Sequence, residues 1–105
     1  MQRIENKIRS YINDRNRVRN AIIGYLRNVL NSSKGDCITI TTAKIMNECQ
    51  LQRRDLPLLR LMLWDFMVKV GTTARKSKRN VYKYVICGED IDKLEAALDD
   101  KDNTL

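Results

Sequence analysis

Between Leu56 and Val70 every residue is apolar except Pro57, Arg60, Asp65 and Lys69, and Gly71 closes the run. On a wheel of 3.6 residues per turn, Leu56, Leu59, Leu63, Phe66, Met67 and Val70 share one face. Leu58, Leu61, Trp64 and Val68 lie opposite or beside it, so the helix is apolar nearly all round. A helix of that kind is buried on more than one side. The rest of the chain must therefore cover it twice. Trp64 and its neighbours are expected to pack under an N-terminal or C-terminal helix, or across a dimer interface, because large exposed apolar patches are rare on monomers.

Two segments offer that cover. In residues 1–31, Ile4, Ile8, Tyr11, Val18, Ile22, Tyr25 and Val29 recur at alternating steps of four and three, and Arg15 fills the one position that interrupts the stripe. This fits one long helix or two helices broken near Asn13 and Asp14, where Asp14 could cap the second; a break or kink is expected there. Ile23, Leu26 and Leu30 widen the stripe of the second half to the breadth of a globular core. Residues 1–13 then form an extension, either packed on its own domain or acting as a dimerisation arm. At the other end, Glu89, Asp90 and Asp92 put acids at the start of a helix, where the dipole favours them, and Ile91, Leu94 and Leu98 give it an apolar edge. That helix packs on its own domain or dimerises, and Asp99 to Leu105 looks frayed.

β patterns lie between and after these helices. Cys37 to Thr41 alternates with period two, Ile38 and Ile40 facing one way and Cys37, Thr39 and Thr41 the other. Thr41 or Thr42 can supply the cap of a short helix over Thr42 to Gln50, with Ile45, Met46 and Cys49 as its buried face. Leu51 anchors the turn that runs to Asp55. Beyond Gly71, the basic segment Arg75 to Asn80 precedes a strand over Val81 to Ile86. There Tyr82, Tyr84 and Ile86 can seal the core while Lys83 points to solvent, and both tyrosines read as packing residues. With 105 residues there is room for one α+β domain, mainly α. It divides into an extension at 1–13, a core at 14–87, and an acidic helix and tail at 88–105.

Little chemistry can be assembled from this inventory. Cys37, Cys49 and Cys87 are widely spaced and no histidine accompanies them, so neither a zinc-ligand spacing nor a Cys–His nucleophile pair exists. The thiols are expected to serve as small apolar residues. A disulfide between two of them depends on geometry that the sequence does not supply. There are only 4 glycines and no glycine-rich phosphate loop. The expectation is a non-enzyme without metal or cofactor. No apolar run approaches the roughly 20 residues of a membrane span, and the N-terminus has no leader-like apolar stretch, so a soluble, cytoplasmic protein is expected, in a reducing compartment.

Charge is unevenly distributed. Residues 1–87 hold 18 Lys and Arg against 6 Asp and Glu, whereas residues 88–105 hold 2 against 7. A basic body of this kind is the electrostatic footprint of a protein that meets phosphates. Its densest part is Arg75, Lys76, Lys78 and Arg79, four cations within five residues, which repel one another unless an anion is near.

The order of elements, together with Ile45-Met46, Cys49, Leu51 and the polar Gln52-Arg53-Arg54 that follow, resembles the winged helix-turn-helix superfamily over about residues 14–87. It looks most like the compact single-domain members from archaea and their viruses. The 20 steps from Leu51 to Gly71 are a few more than in the commonest members. The resemblance implies a three-helix core plus a small antiparallel β-hairpin wing, with extra N-terminal and C-terminal helices. It also implies a transcriptional or other DNA-associated regulator that is a homodimer and binds double-stranded DNA. Base contact falls to Gln52, Arg53, Arg54 and Arg60, since arginine can take guanine O6 and N7 together and glutamine can pair with adenine. The wing residues Arg75, Lys76, Lys78 and Arg79, with Lys83 on the adjoining strand, hold the backbone. RNA fits the charge equally well. A second class stays open, in which the domain is an interaction subunit or adaptor and Leu58, Leu61, Trp64 and Val68 dock a protein partner.

Overall fold

A computed structural model describes the backbone of residues 2–32, 35–71, 74–76 and 82–99, and the side chains of 7–32, 35–71 and 83–99. In chain order the elements are α1 (Gln2–Ser32), β1 (Cys37–Thr41), α2 (Thr42–Glu48), a 3₁₀ turn (Arg53–Asp55), α3 (Leu56–Val70), β2 (Ala74–Lys76), β3 (Tyr82–Cys87) and α4 (Glu89–Asp99). The fold is α+β and mainly α. Its three strands lie in the order β1-β3-β2, and both pairings are antiparallel.

α1 is continuous, which corrects the expected break near Asn13 and Asp14. Neither proline nor glycine occurs before Gly24, so nothing in the backbone forces an interruption. Asp14 does not cap a second helix; it pairs with Arg17 at 3.0 Å, one turn along the same helix. The apolar stripe divides along its length. Val18, Ile22, Tyr25 and Leu26 are buried, whereas Ile8, Tyr11 and Ile12 are exposed. At these positions about half of each apolar side chain of the extension is left uncovered by its own domain.

β1 and β3 turn alternate residues inward as the period-two pattern requires: Ile38 and Ile40 from β1, Tyr84 and Ile86 from β3. Thr41 caps α2, its hydroxyl accepting from the backbone N–H of Lys44 at 3.2 Å. These residues close on Leu59, Leu63, Phe66, Met67 and Val70 of α3, on Ile45 of α2, and on Leu94 and Leu98 of α4, forming one core. α3 ends at Gly71, whose φ of 89° is left-handed and whose N–H donates to the carbonyls of Met67 and Val68.

On the outer side of α3 the expected cover by a terminal helix is not found. Leu58 is half-buried against the core, but Leu61, Trp64 and Val68 are 65%, 46% and 55% exposed and lie under neither α1 nor α4. α1, α2 and α4 all contact α3, and the core they share takes in Leu59, Leu63 and Phe66. Among the described residues no element is left to cover the opposite side.

The reading of the thiols is also corrected for two of the three. Cys37 and Cys87 are register partners across β1 and β3, and they form a disulfide on the outward face of the sheet. Stable disulfides are uncommon in reducing compartments, so this pair is not what a reducing environment leads one to expect. Cys49 is the free thiol, half-buried between α2 and α1. No helix among the described residues is long and apolar enough to cross a membrane.

Candidate nucleic-acid interface

The turn from α2 into α3 is built from local hydrogen bonds. The backbone N–H of Cys49 donates to Ile45 O at 2.9 Å and that of Leu51 to Met46 O at 3.0 Å. Between them Gln50 adopts a left-handed φ of 54°, which reverses the chain. The Cys49 thiol points at the carbonyl of Ala21, 3.6 Å away, and so ties the end of α2 to α1. Burial, and then the nearby Glu48 carboxylate, push that thiol above its ordinary pKa, so it is not poised as a thiolate nucleophile.

Asp55 locks the next turn. It is only 3% exposed. One carboxylate oxygen accepts the backbone N–H of Gln52 at 3.0 Å, and the Asp55 N–H returns a bond to Gln52 O at 2.8 Å. The other carboxylate oxygen accepts from Arg17 on α1. Burial pushes the Asp55 carboxyl up, but the Gln52 N–H and the Arg17 guanidinium, with Arg54 nearby, together bring it below the usual carboxylate value. Its partner Arg17 is raised, chiefly by the hydrogen bond to Asp55.

This lock leaves Gln52, Arg53 and Arg54 exposed at the entrance to α3. Neither arginine has an ion pair among the described residues, because Asp55, the acid beside them, is turned inward to Arg17. Arg60 is placed differently. It is half-buried on the flank of α3, and its Nε is shielded without an acceptor. Asp65 and Lys69 pair with each other at 2.9 Å on the exposed side.

Lys83 is exposed on β3, in register with Thr41 on one side and Arg75 on the other. Lys76 stands opposite Tyr82. For Arg75 and Lys76 only the strand position is described, and Lys78 and Arg79 lie outside the described residues. The cations thus form two sets, one at the start of α3 and one in the β2-β3 hairpin, and no hydrogen bond or ion pair among the described residues joins them.

Arg17 and Asp55 escaped the sequence reading. The signal available was the spacing of Asp55, three residues after Gln52, which is a helix-start arrangement in which an acid reaches back to a free backbone N–H. Nothing in the sequence pointed to Arg17, one of many arginines on a long helix. Among the described residues, no group of three or more Cys, Asp or Glu could hold a metal ion. Comparison with protein families, curated proteins and solved structures finds no match.

Proposed function

We propose that this is a DNA-binding winged-helix protein, in which α2 and α3 act as a helix-turn-helix and β2-β3 as the wing. The element order, with a small antiparallel sheet joining β1 to the hairpin, supports this reading. The observation that carries it is the exposed, unneutralised pair Arg53 and Arg54 at the N-terminal turn of α3. A helix-turn-helix presents base-contacting side chains from that end of its second helix. Gln52 extends the set, and Lys83 with the hairpin cations supplies phosphate contacts. Arg60, on the flank, is a phosphate contact in this reading rather than a base reader.

Binding to duplex DNA should weaken as salt rises, with a slope of log affinity against log salt of about −0.9 for each phosphate neutralised. Affinity for duplex DNA that is indifferent to salt would rule the reading out. Tighter binding to RNA than to DNA in the same titration would redirect it to RNA.

The exposed apolar side of α3 favours a second reading, in which the domain is an adaptor for another protein. It is weaker on charge, since a purely protein-docking domain has no need of unpaired arginines beside an inward-turned acid.

A further inference from the structure

Two apolar stripes on different helices reach the surface side by side. On α1, Ile8, Tyr11 and Ile12 are each about half exposed; on α3, Leu61, Trp64 and Val68 are the same. Tyr11 of the first and Leu61 of the second meet at a shallow cleft of about 280 Å³, whose lining also takes in Arg15, Leu58, Met62 and Asp65. We infer that this joint surface of α1 and α3 is covered by a second copy of the same chain, related by a two-fold axis.

Three features select a second copy over an unrelated partner. First, the exposed stripe on α1 is not an isolated patch. Ile8 and Tyr11 continue the same alternating three-and-four repeat whose later members, Val18, Ile22 and Tyr25, are buried in this chain's own core. A repeat sustained past the edge of the core is a seam for another helix of matching pattern.

Second, the cleft is electrically self-complementary. Arg15 and Asp65 both line it, and Arg15 has no ion pair among the described residues. An isologous contact pairs residue i with j and j with i. Asp65 already holds Lys69 of its own helix through one carboxylate oxygen, and one two-fold can set its other oxygen against Arg15 of the second copy.

Third, the apolar exposure is not scattered: six large side chains, each between 46% and 65% exposed, lie on two helices that contact one another, and monomers rarely expose apolar patches of that kind. The inference does not depend on DNA binding. It does, however, leave only the N-terminal turn of α3 available for bases, which agrees with the exposure of Arg53 and Arg54.

Light scattering over a concentration series tests it on the intact protein. The expected mass is about twice the 12.3 kDa of one chain, under both reducing and non-reducing conditions. Leu61→Glu with Val68→Glu should yield a monomer whose circular dichroism matches the parent, because both residues are exposed. Arg15→Glu should weaken dimerisation about tenfold, since it puts two like-charge contacts across the axis, and adding Asp65→Arg should recover most of that loss. The charge pair keeps the test decisive should the apolar substitutions unfold the chain. A monomeric parent protein overturns the inference and leaves the surface to a foreign partner. A dimer that survives all of these substitutions overturns it too, because the copies then meet elsewhere. Loss of DNA binding with the dimer intact would count against the proposed function alone.

Discussion

Arg17, in the middle of α1, donates to the carboxylate of Asp55, a buried residue 38 positions later at the start of α3. Through Asp55 the long helix is tied to the backbone of Gln52, and so to the residues proposed to meet DNA. An acid that would otherwise neutralise Arg53 or Arg54 serves instead as the fastening beneath them.

The first prediction is a pH dependence. Because the folded-state pKa of Asp55 lies below its unfolded value of about 3.9, ionised Asp55 stabilises the fold at neutral pH. That contribution is full above the unfolded value and falls away as pH drops from about 4 toward the lower folded value. Asp55→Asn should lose about 1 kcal/mol at pH 7, the scale of a lost side-chain cap, and flatten the acid limb of stability against pH. Equal urea midpoints for parent and variant at pH 7 would show that the carboxylate does nothing for the fold.

A second prediction concerns sequence preference. Arg53→Ala with Arg54→Ala should cost about 1–3 kcal/mol of discrimination for each arginine paired with guanine, bringing a selected site and random duplex close together in affinity. Thermal unfolding should be nearly unchanged, since both side chains are exposed. Selection of a preferred site from a random library, followed by competition titrations, measures it. Undiminished preference in the double variant would remove these arginines from base contact.

The hairpin should behave in the opposite way. Neutralising Arg75, Lys76, Lys78 and Arg79 together should weaken binding to all duplexes alike. It should also flatten the salt dependence by up to about four phosphate contacts at roughly 0.9 each, without altering the preferred sequence. A changed preference with an unchanged slope would reverse the roles assigned to hairpin and turn.

The disulfide gives a fourth prediction. Cys37 and Cys87 close a loop spanning 50 residues, for which the chain-entropy account gives about 4 kcal/mol of stabilisation. Cys37→Ser with Cys87→Ser, or treatment with a phosphine reductant, should lower the urea midpoint correspondingly. Cys49→Ser should leave the reductant effect in place. Identical midpoints for oxidised and reduced protein would indicate that the bond adds nothing to the register already made by β1 and β3.

Side-chain packing separates Phe66 from Trp64, two residues apart on α3. Phe66 is fully buried, so Phe66→Ala should cost about 3–5 kcal/mol. Trp64 is nearly half exposed, and Trp64→Ala should cost distinctly less in the isolated chain. Equal losses for the two in urea unfolding of a monomeric variant would contradict the orientation of α3.

What could be read in the sequence was periodic. The inner face of α3, the inward Ile38, Ile40, Tyr84 and Ile86, and the cap at Thr41 all follow from a repeat of 3.6 or 2 or from a single short-range hydrogen bond. The continuity of α1 was missed because Asp14 is as good a cap as it is a helix-surface partner for Arg17, and only the structure shows which role it takes. For Trp64 and Val68, apolarity says only that a surface wants cover, while topology decides that α1 and α4 do not supply it. The Arg17–Asp55 tie and the Cys37–Cys87 pair join residues 38 and 50 positions apart, beyond the reach of any local pattern. Of the candidate site, Gln52, Arg53, Arg54 and Lys83 lie exposed as expected, and Arg60 does not.

The Cys37–Cys87 bond also makes a covalent ring of everything between β1 and the end of β3, and leaves α1 and α4 as two tails outside it. Both sets of cations proposed to touch DNA belong to the ring. α1, which carries half of the surface proposed for the second copy, belongs to a tail. A single backbone cut anywhere inside the ring leaves two pieces that travel as one band until a reductant is added, whereas a cut in α1 or α4 releases a fragment at once. Limited proteolysis on paired reducing and non-reducing gels thus sorts cleavage sites between the proposed DNA-contacting part and the tails, without sequencing any fragment.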